Sequence, residues 1–291
     1  MKTISEQLAM FNESDASKQV LQYLRDRNIL CDQAQVRIFE FENALEVLKS
    51  FMHGYSYLCS QAQIEMIKHK DVVELVKLYT SKYPLAPEAE LEILKYEYPL
   101  TLMSVYTTRY YFHEAVQLEM LNHKQAVAMV SLCADKQTFS QRTQKKMLEH
   151  ENAKELAMAY IKHKNRFLCD DAELKMVKLA DADALIKAYI RRYSLHDRAE
   201  QELFNLENAK SIIREYIKYH PMSPDAEIKM LELDGYEKIF ETYVQKYTLN
   251  ERLQHILLEH EQGMKFLTLY LEKNDLCRTV QRKLLTWLIS K

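Results

Sequence analysis

The chain has 291 residues, 47% of them hydrophobic, and a formal charge of -2 from 40 basic and 42 acidic residues. That apolar content excludes a disordered chain, and the near balance of charge excludes recruitment of nucleic acid or anionic membrane by an overall field. With 3 Gly and 5 Pro, folds that need many positive-φ turns are excluded, as is a glycine-rich phosphate loop.

In chain order, Glu6 and Glu13 interrupt the first apolar stretch, which argues against a secretory leader, and no apolar run approaches membrane-spanning length. Ile4 to Leu30 fits a first helical hairpin loosely. Repeats then start at Cys31, Cys59, Ala86, His113, Ser140, Cys169, His196, Ser223 and Asn250, about 27 residues apart, and a lone first helix starts at Cys277. The repeats from Cys31 and Ser140 carry extra residues. In the second case these fall at His163–Phe167, where a bend is expected within a single domain spanning residues 1–291.

Each repeat reads as two helices. The first has a small residue followed by an apolar pair, as in Ala62, Met66 and Ile67 or Ala226, Met230 and Leu231. The second has an apolar pair and two tyrosines, as in Leu75, Val76, Tyr79 and Tyr83. Both spacings give a helix with one buried face. Asp32 with Gln35, Ser60 with Gln63, Asp170 with Glu173 and Asp197 with Glu200 fit capping boxes at first helices. Asn43 with Glu46, Asp71 with Glu74 and Asn152 with Glu155 fit them at second helices, and Pro87, Pro99 and Pro224 suit the first helical turn.

A hairpin this short cannot bury its apolar face alone, but stacked neighbours can. The pattern predicts an all-α protein, a right-handed α-solenoid of about ten two-helix repeats. Over nearly its whole length the chain resembles tetratricopeptide and HEAT-like arrays in architecture. Its repeat is shorter than the tetratricopeptide unit, and that family's Trp, Leu-Gly and Tyr pattern is absent. The resemblance implies a non-enzymatic scaffold that presents a groove to a protein or peptide.

Equivalent positions form columns. Gln35, Gln63, Glu90, Gln117, Gln144, Glu173, Glu200, Glu227, Gln254 and Gln281 form a Glu/Gln column, read either as capping-box partners or as a polar ladder gripping an extended backbone. Lys82, Arg109, Lys136, His163, Arg192, Lys246 and Lys273 form a basic column. It either complements helix C-termini or offers a cationic ridge to an acidic partner or to phosphates. His69, His123, His150 and His260 share a turn position with apolar residues elsewhere, which favours packing over metal ligation. Cys31, Cys59, Cys169 and Cys277 share the repeat start, too far apart for disulfides in stacked repeats. The odd count of five cysteines suits a reduced, cytoplasmic chain.

The expected partner-binding residues are Lys82, Arg109, Lys136, Arg192, Lys246 and Lys273 of the basic column, with Tyr106, Tyr110 and Tyr111 as aromatic anchors. No catalytic group, metal site or cofactor is expected, and the partner is a protein or peptide rather than a membrane. The alternative is a nucleic-acid-binding repeat protein that uses the basic column. The last helix, with Leu284, Leu285, Trp287, Leu288 and Ile289, is apolar on more than one side, as a folded-back cap or a partner contact.

Overall fold

The computed structural model describes residues 2–54 and 57–289, with side chains as far as Thr286, and among these residues the regular structure is entirely helical. Trp287, Leu288 and Ile289 therefore lie outside the described side chains. The chain divides into two compact units, Met1–Arg166 and Phe167–Lys291. The division falls at the extra residues of the Ser140 repeat, where Asn165 takes left-handed backbone at φ 59°, a conformation Asn tolerates better than most residues.

The N-terminal unit contains α1 (Ile4–Met10), α2 (Ala16–Arg25), α3 (Asp32–Arg37), α4 (Ala44–His53), α5 (Ser60–Lys68), α6 (Val72–Tyr79), α7 (Pro87–Lys95), α8 (Pro99–Tyr106), α9 (Glu114–Leu121), α10 (Ala126–Lys136), α11 (Gln141–Met147) and α12 (Ala153–Ile161). The C-terminal unit contains α13 (Asp170–Lys178), α14 (Asp183–Ile190), α15 (Asp197–Leu203), α16 (Ala209–Tyr216), α17 (Pro224–Lys229), α18 (Glu237–Val244), α19 (Glu251–Glu259), α20 (Gly263–Leu271) and α21 (Arg278–Ile289). Within each unit, odd-numbered helices pack on odd-numbered neighbours and even on even, so each unit has a layer of first helices and a layer of second helices.

The core follows the repeat pattern. Ala34, Ala62, Ala89, Ala172, Ala199 and Ala226 are fully buried on the first helices, and Val116, Thr143, Leu253 and Val280 are buried at the same position in the other repeats. Met66, Ile67, Leu75, Val76 and their equivalents fill the space between the layers. Each such side chain contributes about 1.5–3 kcal/mol by leaving water.

The first-helix caps lie one residue earlier than the capping-box pattern predicts. Cys31, Cys59, Cys169 and His196 are the N-caps, so Asp32, Ser60, Asp170 and Asp197 open the helices, and the Glu/Gln column falls one step past the box position. At the second helices Asn43, Asp71 and Asn152 are N-caps as expected, but their side chains make no capping bond. The box is realised instead at α1, where Thr3 and Glu6 bond each other's backbone N–H.

The Glu/Gln column performs a different task, which reaches into the next repeat. Gln35 Oε1 accepts the backbone N–H of Cys59 at 2.7 Å, and Gln63 accepts that of Ala86 at 2.6 Å. Gln117 accepts from Ser140, Glu173 from His196, Glu200 from Ser223 and Gln254 from Cys277. Each N-cap N–H would otherwise be an unpaired donor in a half-buried seam. Gln63 Nε2 also donates to the Leu58 carbonyl at 2.8 Å and to Tyr79 Oη at 3.3 Å.

Glutamate cannot donate when ionised, so in Glu repeats the tyrosine reverses its role. Tyr106, Tyr189 and Tyr243 donate their hydroxyls to Glu90, Glu173 and Glu227 at 2.6, 2.6 and 2.8 Å. Burial pushes the Glu173, Glu200 and Glu227 carboxyls up from the ordinary carboxylate range, against the opposing pull of the tyrosine and backbone donors. One repeat has Cys133 where the others have the aromatic. There Gln137 Oε1 accepts the Phe112 N–H at 2.9 Å, a bond that Tyr79 and Tyr189 make in their own repeats. Burial raises the Cys133 thiol to about 12, which leaves it unreactive.

Candidate partner-binding surface

The basic column lies at the C-terminal ends of the second helices, and most of its side chains reach back to the preceding repeat. Lys82 Nζ donates to Met52 O at 3.3 Å and Arg109 Nη1 to Ser81 O at 2.7 Å. Lys246 Nζ donates to Ile217 O at 3.3 Å and Lys273 Nζ to Gln245 O at 3.4 Å. These acceptors are the orphan carbonyls at the end of the preceding second helix, where a cation is favourable both as donor and as countercharge. Lys136 pairs with Asp135 at 2.7 Å, and Arg192 follows α14 in an exposed position.

The three tyrosines separate. Tyr106 is 1% exposed and bonded to Glu90, so it belongs to the core and cannot act as a surface anchor. Tyr110 stacks on Tyr106 with ring centroids 5.6 Å apart and is half-buried. Tyr111 is 67% exposed and shares its register with exposed Ile29, Tyr57 and Pro84 at the turns between repeats. The histidine column closes the turn within each hairpin. Nδ1 of His69, His123 and His150 accepts the backbone N–H two residues on, each at 3.0 Å, so a neutral ring carries its proton on Nε2. The N-cap cysteines are free thiols. Among the described residues, no group of three or more His, Cys, Asp or Glu could hold a metal ion, and no helix is long and apolar enough to cross a membrane.

The layer of second helices in the N-terminal unit exposes a surface that column-by-column inspection for charge and aromatics passes over. Two positions before the buried apolar pair, successive repeats carry Leu45, Val73, Leu100 and Val127. Leu45 and Val127 are exposed, and Val73 and Leu100 are half-buried. Five residues on from the last three, Leu78, Val105 and Leu132 are also half-buried. Five positions on a helix turn through about 140°, so the two residues flank each helix, with exposed Glu74 and Lys77 between them on α6 and exposed Thr101 and Ser104 on α8. Beside exposed Val127 lies a cavity of about 850 Å³ whose lining includes Leu100, Val127, Ala128, Ser131, Leu132 and Leu156. At the positions of Ala128 and Ser131 in α10, α6 has Glu74 and Lys77 and α8 has Thr101 and Ser104. His123, Lys124, His150, Glu151 and Lys162 also line the cavity.

One side chain of this lining belongs to a Ser, His and Asp chain. Ser131 Oγ lies 3.2 Å from His163 Nε2, and His163 Nδ1 lies 3.6 Å from Asp135. Burial and the neighbouring Lys162 charge hold His163 below its ordinary value, so the ring is neutral near pH 7. The arrangement stops short of an activated nucleophile. A separation of 3.6 Å is too long for an orienting hydrogen bond, and the Asp135 carboxylate is paired with Lys136. Ser131 lies inside α10, whose N–H groups are committed to the helix and cannot form an oxyanion hole.

Comparison with protein-family models, curated proteins and solved structures finds no match to the chain.

Proposed function

We propose that the chain is a non-enzymatic scaffold for a protein or peptide, built as a right-handed α-solenoid of about ten hairpins, and that it works in the cytoplasm. The observation that supports this reading is the cavity of about 850 Å³ lined by Leu100, Leu132 and Leu156, with exposed Val127 at its edge. Exposed apolar area gathered in one place and rimmed by polar groups marks a contact surface more often than a solvated one. The basic column, on which a nucleic-acid reading would rest, has most of its cations engaged with backbone carbonyls. Lys82, Arg109, Lys246 and Lys273 act there as inter-repeat caps.

The test is site-specific photo-crosslinking in native extract from a benzoylphenylalanine at position 127, read by mass spectrometry with and without nuclease. A discrete protein adduct that survives nuclease and is lost when Leu132→Asp is added supports the scaffold. Adducts that vanish with nuclease overturn it. Val127→Asp, at a position 41% exposed, should weaken capture of the same partner at least about tenfold while shifting stability by no more than about 0.5 kcal/mol.

A further inference from the structure

We infer that the cavity beside Val127 takes a short, non-helical, uncharged peptide segment with one bulky apolar side chain, and that the turns of two adjacent hairpins hold its backbone. The inference rests on the scaffold reading above and adds what enters this one site.

The turns that precede α10 and α12 both line the cavity. Each has a half-buried histidine whose Nδ1 accepts a backbone N–H at 3.0 Å, from Gln125 at His123 and from Asn152 at His150. The neutral rings therefore have Nε2–H as their remaining donor. A metal on Nε2 would force the proton onto the nitrogen that already accepts, so the rings suit a ligand with acceptors and not a cation. Adjacent histidines occur once in this column, with Tyr96 and Leu179 at the same place in the repeats before and after. Gln125 and Asn152 are exposed N-caps whose side chains make no capping bond, so each amide offers a donor and an acceptor at the rim. Leu100, Leu132 and Leu156 give the interior an apolar lining.

This lining selects the occupant on three counts. A volume of about 850 Å³ is that of a pocket for a drug-sized ligand, roughly three or four residues of peptide, and its apolar interior rewards one bulky apolar side chain. The rim offers uncharged donors and acceptors, which match free backbone C=O and N–H groups. An α-helix has those groups bonded internally and would leave the rim unanswered, whereas an extended or polyproline-like segment has them free. Charge selects neither sign, because Lys124 and Glu151 oppose each other and Lys162 already has a partner within the chain.

The experiment selects a displayed library of random linear heptapeptides against the full-length chain and sequences the enriched clones. The expected result is one Phe, Trp, Leu or Met shared among uncharged neighbours. Binding of the best synthetic clones, measured by fluorescence anisotropy, should fall at least about tenfold with Ala128→Glu, which fills the cavity. It should fall about tenfold with His123→Leu and His150→Leu together, which removes two donors. Lys124→Glu should change it less than about threefold. Other repeats have Leu179, Leu206 and Leu233 at the histidine position, and Ala128 and Lys124 are exposed, so circular dichroism should show these variants folded. Transferred nuclear Overhauser effects should show the bound clones extended. Clones that bind as helices, binding that ignores either the histidine pair or Ala128→Glu, a charged consensus, or no enrichment at all overturns the inference. A crosslinked protein partner at position 127 together with any of those results would retain the scaffold and discard only this ligand.

Discussion

The second helices of the two units occupy the same register and present opposite chemistry. Where the N-terminal unit has Leu45, Val73, Leu100 and Val127 between Lys18 and Lys154, the C-terminal unit has Asp183, Lys210 and Glu237 before Met264. Ion pairs lace the latter face from repeat to repeat: Arg191 with Glu215 at 2.9 Å, Lys210 with Asp234 at 3.1 Å, and Lys265 with Glu241 at 2.5 Å. On the first helices of that unit Asp171 meets Arg198 and Asp225 meets Arg252, each at 3.1 Å. The core residues and the polar ladder are common to both units, so the difference is confined to what faces outward. The outward face of the C-terminal unit is therefore richer in ion pairs between repeats, and that of the N-terminal unit richer in apolar residues at this register.

The common ladder gives the largest test of that comparison. Gln63→Leu removes the acceptor of the Ala86 N–H and the donor to the Leu58 carbonyl, which leaves two buried groups unpaired. Denaturant unfolding should show a loss of about 2–4 kcal/mol. A loss below about 1 kcal/mol would mean that stacking does not depend on the ladder.

The next test separates the units by pH. Glu173, Glu200 and Glu227 hold their protons more tightly in the fold than at the ordinary value of 4.5. The stability they contribute is therefore full below about pH 4.5 and declines as pH rises through their raised values. The triple change to Gln should stabilise the C-terminal unit near pH 7 by up to about 1 kcal/mol per site, because Gln also donates to the carbonyl five residues back. It should also flatten the rise in protection seen on acidification from pH 7. Hydrogen exchange read separately over α13–α20 and α1–α12 would reveal an unchanged slope or an effect on the wrong unit.

A smaller effect is expected from Arg191→Ala, which opens one exposed ion pair on the charged face. Thermal melts should show a slight loss at low salt that disappears at high salt. A loss insensitive to salt would mean that the pair acts through packing. The smallest effect expected is none: Ser131→Ala should leave p-nitrophenyl acetate hydrolysis at the level of the unaltered chain. A clear drop would make Ser131 a nucleophile and overturn the non-enzymatic reading.

The hairpins were legible in the sequence because burial imposes a period, and Ala62, Met66, Ile67, Leu75 and Val76 state it directly. The caps were less so. Ser60 and Asp170 look like N-caps by residue type, yet the N-caps are Cys59 and Cys169. At Cys59 the donor problem is solved from the preceding repeat by Gln35, beyond the reach of any local rule. The outward apolar column was visible in principle, as one that changes from Leu45, Val73, Leu100 and Val127 to Lys154 and Asp183. A search for charge and aromatic clusters does not register modest apolar residues, and the hollow depends on Ala128 and Ser131 being small, which only neighbouring side chains reveal.

The ladder also has a direction. Within each unit the Gln and Glu side chains reach forward, so the acceptor for a repeat's first N–H is supplied by the repeat already behind it, as Gln63 supplies Ala86. A chain emerging from the ribosome therefore meets a finished docking edge at every step, and growth proceeds from the amino end like a zip with its slider on one side. Cutting repeats from the carboxyl end leaves an idle acceptor. Cutting them from the amino end uncovers the N-cap N–H of the new first repeat, which then bonds to water.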